Sequence, residues 1–185
     1  MSAGECTRQP EQIGWHRVSE SALVIRLCEP TDTPKIVPLL QAQVAASGRQ
    51  APDPDALAEL VHALLATQFS DFLLAEVGDR VLGVMQINYR LSTWEVAAYA
   101  AIEDFYLAPE LRGHGAGSRM LDYACARAEA RGSKFVQAAA RPEDRAASRL
   151  YEALGFAPTP RQIWRSALLL GCPAPQDDAA GGEQG

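Results

Sequence analysis

What this chain lacks narrows it first. Among its 185 residues there is no run of about 18 apolar residues, so no segment is built to cross a bilayer as a helix. Residues 1–21 are polar, with Glu5, Arg8, Glu11, His16 and Arg17, and lack the apolar centre of a secretory signal, so a cytoplasmic location is expected. The 4 cysteines, Cys6, Cys28, Cys125 and Cys172, form no CxxC pair, and the 3 histidines, His16, His62 and His114, are as widely scattered. No metal site is expected from such spacing, and the thiols read as free. Lysine and arginine form no block: 17 basic residues are dispersed among 23 acidic ones, for a net charge of −6. That balance argues against nucleic acid as a partner and is compatible with a cationic one such as an amine. No Gly-Lys-Ser/Thr phosphate loop and no internal repeat occurs.

What is present is one domain's worth of alternating elements. The apolar share, 48%, is enough for a sizeable core. Residues 1–21 read as a flexible arm and residues 22–170 as the working domain. Residues 171–185, with Pro173, Pro175 and the acidic pair Asp177-Asp178, read as a disordered tail. A β-branched run predicts a strand over 22–28. A helix follows over 32–45, with Pro34 in its first turn and a stripe of Ile36, Val37, Leu39, Leu40 and Val44. A second helix is expected over 55–68, with Leu57, Leu60, Val61, Leu64 and Leu65 on one side. Strands over 71–77 and 81–91 meet at Gly78-Asp79-Arg80, a hairpin signal. Then come a strand over 98–107, a helix over 117–131 ended by Gly132, and a strand over 135–140. A helix over 144–154 ended by Gly155 and a last strand over 162–169 complete the chain. The order β-α-α-β-β-β-α-β-α-β predicts an α/β (α+β) fold with a mixed sheet and helices on both faces.

The glycine-rich turn Arg112-Gly113-His114-Gly115-Ala116-Gly117 lies between a strand and a helix. A helix N-terminus presents unpaired N–H groups and the positive end of a dipole, and glycine lets the backbone approach phosphate oxygens closely. Arg112 can add a charge-assisted bond. The spacing is not that of a dinucleotide fingerprint, and no acidic residue stands at the following strand end, Phe135-Val136-Gln137. Alone, the turn indicates a phosphate and no particular ligand.

Two stretches together resemble a known family. The run EDFYLAPELRGHGAGSRML, residues 103–121, is similar to the acetyl-coenzyme A signature of the GNAT superfamily of N-acetyltransferases, with Arg112, Gly115 and Gly117 at its defining positions. The run DRAASRLYEALGF, residues 144–156, matches the family's second motif at Ala147, Leu150, Tyr151, Gly155 and Phe156, with Asp144 in place of the usual asparagine. The resemblance covers about residues 23–169. It implies a largely antiparallel, twisted sheet and acetyl-CoA as co-substrate. It places Phe105, Tyr106, Leu107, Arg112, Gly113, His114, Gly115, Ala116, Gly117, Ser118, Asp144, Ala147 and Tyr151 around the coenzyme.

The same resemblance implies direct attack by an amine on the thioester. A free amine has a pKa of about 10 and must lose a proton first, which a carboxylate can take. Glu103 is the first candidate. Regular strand alternation puts its neighbour Asp104 on the opposite face, and a bulge would bring Asp104 into play instead. A backbone N–H near Tyr106 or Leu107 is the family's oxyanion donor. Tyr151 is the candidate acid for the leaving thiolate, its alternative being an aromatic on the apolar stripe with Leu150 and Leu154. His114 is expected at solvent or beside the phosphates, and Cys125 in packing. Trp94 and Trp164 are read as packed residues that alternatively border the acceptor pocket, drawn from residues 45–54, 91–97 and 157–162. The expected acceptor is a small-molecule amine. The alternatives are a protein or peptide amine, and a non-catalytic acyl-CoA-binding module. Related enzymes are often dimers, which makes a homodimer one expected arrangement.

Overall fold

Strand alternation sorts this chain's apolar residues onto two sides of one sheet. The computed structural model describes residues 23–141 and 144–159. Its strands are β1 (Leu23–Leu27), β2 (Ser70–Val77), β3 (Arg80–Ser92), β4 (Ala97–Leu107) and β5 (Val136–Ala138), in spatial order β1-β2-β3-β4-β5. All neighbours are antiparallel except β4 and β5, which run parallel. The helices are α1 (Thr33–Ala46), α2 (Pro54–Leu65), α3 (Ala116–Ala130) and α4 (Arg145–Ala153). The expected mixed, largely antiparallel sheet with helices on both faces is therefore what the chain builds, in the expected order as far as α4. The strand expected over 162–169, Trp164, the arm over 1–21 and the tail over 171–185 lie outside the described residues.

One face of the sheet carries Phe72, Leu74 and Val84, which pack with Ile36 and Leu40 of α1 and Val61 of α2. The other carries Leu73, Ala75, Met85, Ile87, Ala100 and Ile102, against Met120, Leu121, Ala124 and Ala128 of α3. Leu150, Tyr151 and Leu154 of α4 extend this second cluster. Gly83 leaves room on that face for its strand neighbours. A Cβ there would lie 2.6 Å from Leu107 Cδ2 and 2.9 Å from Ala75 Cβ, with Met120 Sδ of α3 at 3.4 Å.

Two features of β4 shape the functional region. Its pairing with β5 covers only Ala100↔Val136 to Ile102↔Ala138, so residues 103–107 run on with β3 alone as their ladder partner. And the β3–β4 register slips: between Met85↔Phe105 and Ile87↔Ile102, β4 sets Glu103 and Asp104 against the single residue Gln86. This is a β-bulge.

Outside the cores, a charged cluster ties β1 to β2 and to the entry of α1. Asp32, 4% exposed, accepts from Arg26 Nη1 at 2.6 Å and Nη2 at 2.9 Å, and Lys35 lies 3.2 Å away. Arg26 Nε also donates to Glu76 at 2.7 Å.

Candidate functional site

The bulge overturns the alternation expected at Glu103 and Asp104. Ile102 before it and Phe105 after it both pack on the α3 side. Both intervening carboxylates therefore leave on the other side, the face covered by α1 and α2. Their partners agree. Gln43 Nε2 of α1 donates to Asp104 Oδ1 at 3.1 Å. Glu103 is ion-paired with Arg90 of β3, which has the same strand parity as Val84. Gln86 and Asn88 continue that polar row: Gln86 Nε2 donates to Asn88 Oδ1 at 3.1 Å and to Ser70 Oγ at 3.2 Å.

The two carboxylates differ in setting. Glu103 is exposed, with 39% of its side-chain surface accessible. Asp104 is half-buried, and its carboxyl is held above the usual carboxylate range, first by burial and second by the charge of Glu103, with Gln43 pulling the other way. Gln86, Asn88, Arg90 and Gln43 were not singled out from the sequence. For the β3 residues a signal exists, the strict alternation of polar positions 86, 88 and 90 with Ile87 and Tyr89.

On the opposite face, at the end of β4, lies the glycine-rich turn. Gly113 and Gly115 adopt φ of 77° and 75°, left-handed values that side chains other than glycine disfavour. Gly115 is the N-cap of α3, and no side chain caps that helix. The N–H groups of its first turn, Ala116, Gly117 and Ser118, thus stand at an uncapped helix start beside the unpaired stretch of β4. Arg112 Nε donates to Leu107 O at 2.9 Å, and its guanidinium lies 5.6 Å from the centre of the Tyr106 ring. His114 is exposed, with Nδ1 2.9 Å from Arg112 O. Gly117 has a different role. A Cβ there would lie 3.0 Å from Leu150 Cδ2 and 3.7 Å from Phe105 Cζ, so its absence lets α4 and β4 close on α3.

This packing gathers Phe105, Leu107, Gly117 and α4 on one side. Asp144 caps α4, accepting from Ala147 N at 2.9 Å. Tyr151 is half-buried, its ring 5.5 Å from that of Phe156. Burial, then the charge of Asp144, push its phenol up, so the proton is retained near neutrality. The turn and α4 thus lie on one face of β4 and the carboxylate pair on the other, meeting only at its unpaired edge.

Other residues stand apart. Trp94 is 84% exposed in the β3–β4 connection, beside Leu91 and Val96, so the packing expected for it is not realised. Cys125 is half-buried in α3 and its thiol is pushed up by burial, which suits packing rather than nucleophilic chemistry. Among the described residues no group of three or more His, Cys, Asp or Glu is placed to hold a metal, and no helix is long and apolar enough to cross a membrane.

Comparison with known proteins places this geometry. The model of a family described as acetyltransferase (GNAT) matches residues 38–156. The uncharacterized N-acetyltransferase YhfO of Bacillus subtilis (strain 168) is 29% identical over 132 residues, 71% of this chain and 88% of that one. Among solved structures, an aminoglycoside acetyltransferase from an uncultured soil metagenomic sample, in complex with sisomicin, superposes with a TM-score of 0.69 at 16% identity, covering 82% of this chain and 99% of that one. A ribosomal-protein-alanine N-acetyltransferase from Brucella melitensis biovar Abortus 2308 gives 0.62 at 21% identity, over 80% and 99%. At such identities these two speak for the fold alone.

Proposed function

The chain belongs to the acetyltransferase (GNAT) family, and from that membership we propose that it moves an acetyl group from acetyl-CoA to a primary amine of a small molecule. The observation that carries this reading is the division of labour across β4. An uncapped helix start with two left-handed glycines lies on one side of its unpaired edge, and two carboxylates lie on the other.

The residues fit a coenzyme pyrophosphate. The N–H groups of Ala116, Gly117 and Ser118 open α3 without a side-chain cap, and a Cβ at Gly113 or Gly115 would meet nothing within 4 Å, so the turn, with His114 completing it, leaves room for phosphate oxygens. Arg112, already braced on Leu107 O, supplies positive charge nearby. The coenzyme supplies the activated acetyl group. Phe105 and Leu107 offer backbone groups along the unpaired edge, those of Tyr106 being turned to Val84 of β3, and the Leu107 N–H stabilises the acyl oxygen as it gains charge. Asp144 is engaged in capping α4 and holding Ala147 N, so it shapes the arm's wall through the helix rather than by a free side chain.

On the other face, one carboxylate of the pair Glu103 and Asp104 takes the proton from the attacking amine. Tyr151, which keeps its proton, returns one to the departing thiolate. The polar row of Gln86, Asn88 and Arg90 beside two carboxylates suits a cationic, hydrogen-bonding acceptor.

The test is release of free thiol from acetyl-CoA against polyamines, aminoglycosides, amino acids and peptides. Release with at least one small amine is expected. Activity on peptides alone would transfer the reading to a protein or peptide acceptor. Saturating acetyl-CoA should also raise the melting temperature, since a ligand at 100 times its Kd stabilises by about 2.7 kcal/mol. A raised melting temperature without transfer to any amine would leave an acyl-CoA-binding module.

A further inference from the structure

Helix α1 faces the sheet with Ile36 and Leu40, and one further turn along that stripe stands Gln43. A long amide thus takes a place where the pattern has aliphatic side chains. Its Nε2 donates to Asp104 Oδ1 at 3.1 Å. Its Oε1 is buried with no hydrogen-bond partner among the described residues. Buried acceptors left idle are uncommon and call for a reason.

The amide's shape supplies one. A half-turn about its last torsion exchanges oxygen and nitrogen with almost no change of outline. In one orientation it donates to an ionised carboxylate; in the other it accepts from a protonated carboxyl. Oε1 is therefore idle only while Asp104 is ionised. The groups around Asp104 leave this role to Gln43. Glu103, its neighbour on β4, is ion-paired with Arg90 of β3. Tyr106 is two residues further along β4. The lone ionisable side chain of α1, Lys35, is at the helix start beside Asp32, and α2 packs on α1 and β2.

We propose that Gln43 is a positioning residue: it holds Asp104, rather than Glu103, as the carboxylate that receives the amine proton, and it turns its amide to keep a hydrogen bond once the proton has arrived. What the base does rests on the acyl-transfer reading; the link between Gln43 and Asp104 does not. As the new C–N bond forms, the N–H bond breaks and its electron pair stays on nitrogen. The proton passes to an Asp104 carboxyl oxygen and leaves to solvent before the next turnover. Arg90 occupies the Glu103 carboxylate in an ion pair. Burial raises Asp104 above an ordinary carboxyl and makes it a stronger base.

The experiment pairs two readouts on Gln43→Met, which preserves length and removes both polar atoms. The first is the NMR titration of the Asp104 carboxyl carbon, assigned with Asp104→Asn. The second is the pH profile of kcat/KM with the best acceptor. The Asp104 titration should move up by about one pH unit, since Gln43 favours the ionised form, and the acid limb of the profile should follow it. At a pH below both limbs the rate should then fall about tenfold, with the coenzyme-induced rise in melting temperature retained. An Asp104 titration unmoved by Gln43→Met would overturn the proposal. So would an acid limb that survives Asp104→Asn and disappears in Glu103→Gln. If the intact protein transfers acetyl to no amine, the acyl-transfer reading falls, while the titration still decides whether Gln43 controls Asp104.

Discussion

Tyr151 shows how a residue's surroundings choose its chemistry. Its phenol is half-buried beside Phe156 and pushed up by burial and by Asp144, so it is a proton donor at neutral pH and a poor base. Tyr151→Phe keeps the ring packing and removes the proton. The turnover number should fall on the order of a hundredfold, with the KM for acetyl-CoA nearly unchanged, in a steady-state assay. Unchanged turnover would remove the acid role. Tyr151, like Arg112 and the glycines of the turn, was legible in the sequence as a candidate because its spacing is fixed within one helix or one turn. Gln43 was not. Its proposed role rests on a contact 61 positions along the chain, and within α1 it is one more polar residue near the end of an amphipathic stripe. Asp104 was legible as a carboxylate but not as a neighbour of Glu103 on the same face, because local alternation says the opposite.

Among the elements, helices and strands followed from periodicity, and the differences are at ends. The helix expected to reach residue 68 stops at Leu65, before Ser70–Val77 starts as a strand paired on both sides. The strand expected over 135–140 keeps only Val136–Ala138, because β4 ceases to pair with it where the bulge turns its backbone. A bulge is a mismatch in count between two strands, so it cannot be read from either alone. Gly83 is a second relation between elements. In Gly83→Ala the new Cβ meets Leu107 Cδ2 at 2.6 Å and Ala75 Cβ at 2.9 Å. The Ala75 atom is fixed to its backbone, so the strands must shift. A loss of about 1–3 kcal/mol is expected in urea unfolding. It should come with a raised KM for acetyl-CoA, because Leu107 O braces Arg112. Wild-type stability in that variant would mean that β2 and β3 yield freely there.

For the whole molecule, stability should be bounded by pH on both sides. Asp32 is held well below the usual carboxylate range, chiefly by Arg26. A depressed folded-state value stabilises above the unfolded value of about 4 and is lost as pH falls below it. Asp104, raised instead, acts in the opposite sense and at higher pH, adding stability as pH falls from its folded value toward about 4, above the range in which Asp32 loses its contribution. Cys28 is pushed up to about 12 by burial, and Tyr89 is raised by burial and by its bond to Asp71. Raised values stabilise fully below the unfolded values of about 8.5 to 10 and lose that contribution as pH climbs through the folded ones. The urea midpoint should be level between about pH 5 and 8 and decline outside. Asp32→Asn should lower the plateau by about 2 kcal/mol and flatten the acid decline. An acid limb unaltered in Asp32→Asn would assign it to other carboxylates. The family and the two-sided sheet were legible from two motifs at the right separation. The acceptor was not, because the alternation of polar positions 86, 88 and 90 marks a face and names no ligand, and Gln43 joins that face only through the fold.

The bulge in β4 makes the face of the two carboxylates a matter of parity. Along 97–107 every side chain's destination depends on whether it stands an odd or even number of steps from the extra residue. Substitution leaves that arithmetic untouched, so the carboxylates tolerate exchange of their neighbours' identities. Removing one residue from the segment does not. Losing Glu103 or Asp104 would make the pleat regular and leave a lone carboxylate opposite Gln86, on the face it already occupies. Length, more than composition, is therefore what a descendant of this chain must conserve between Ile102 and Phe105.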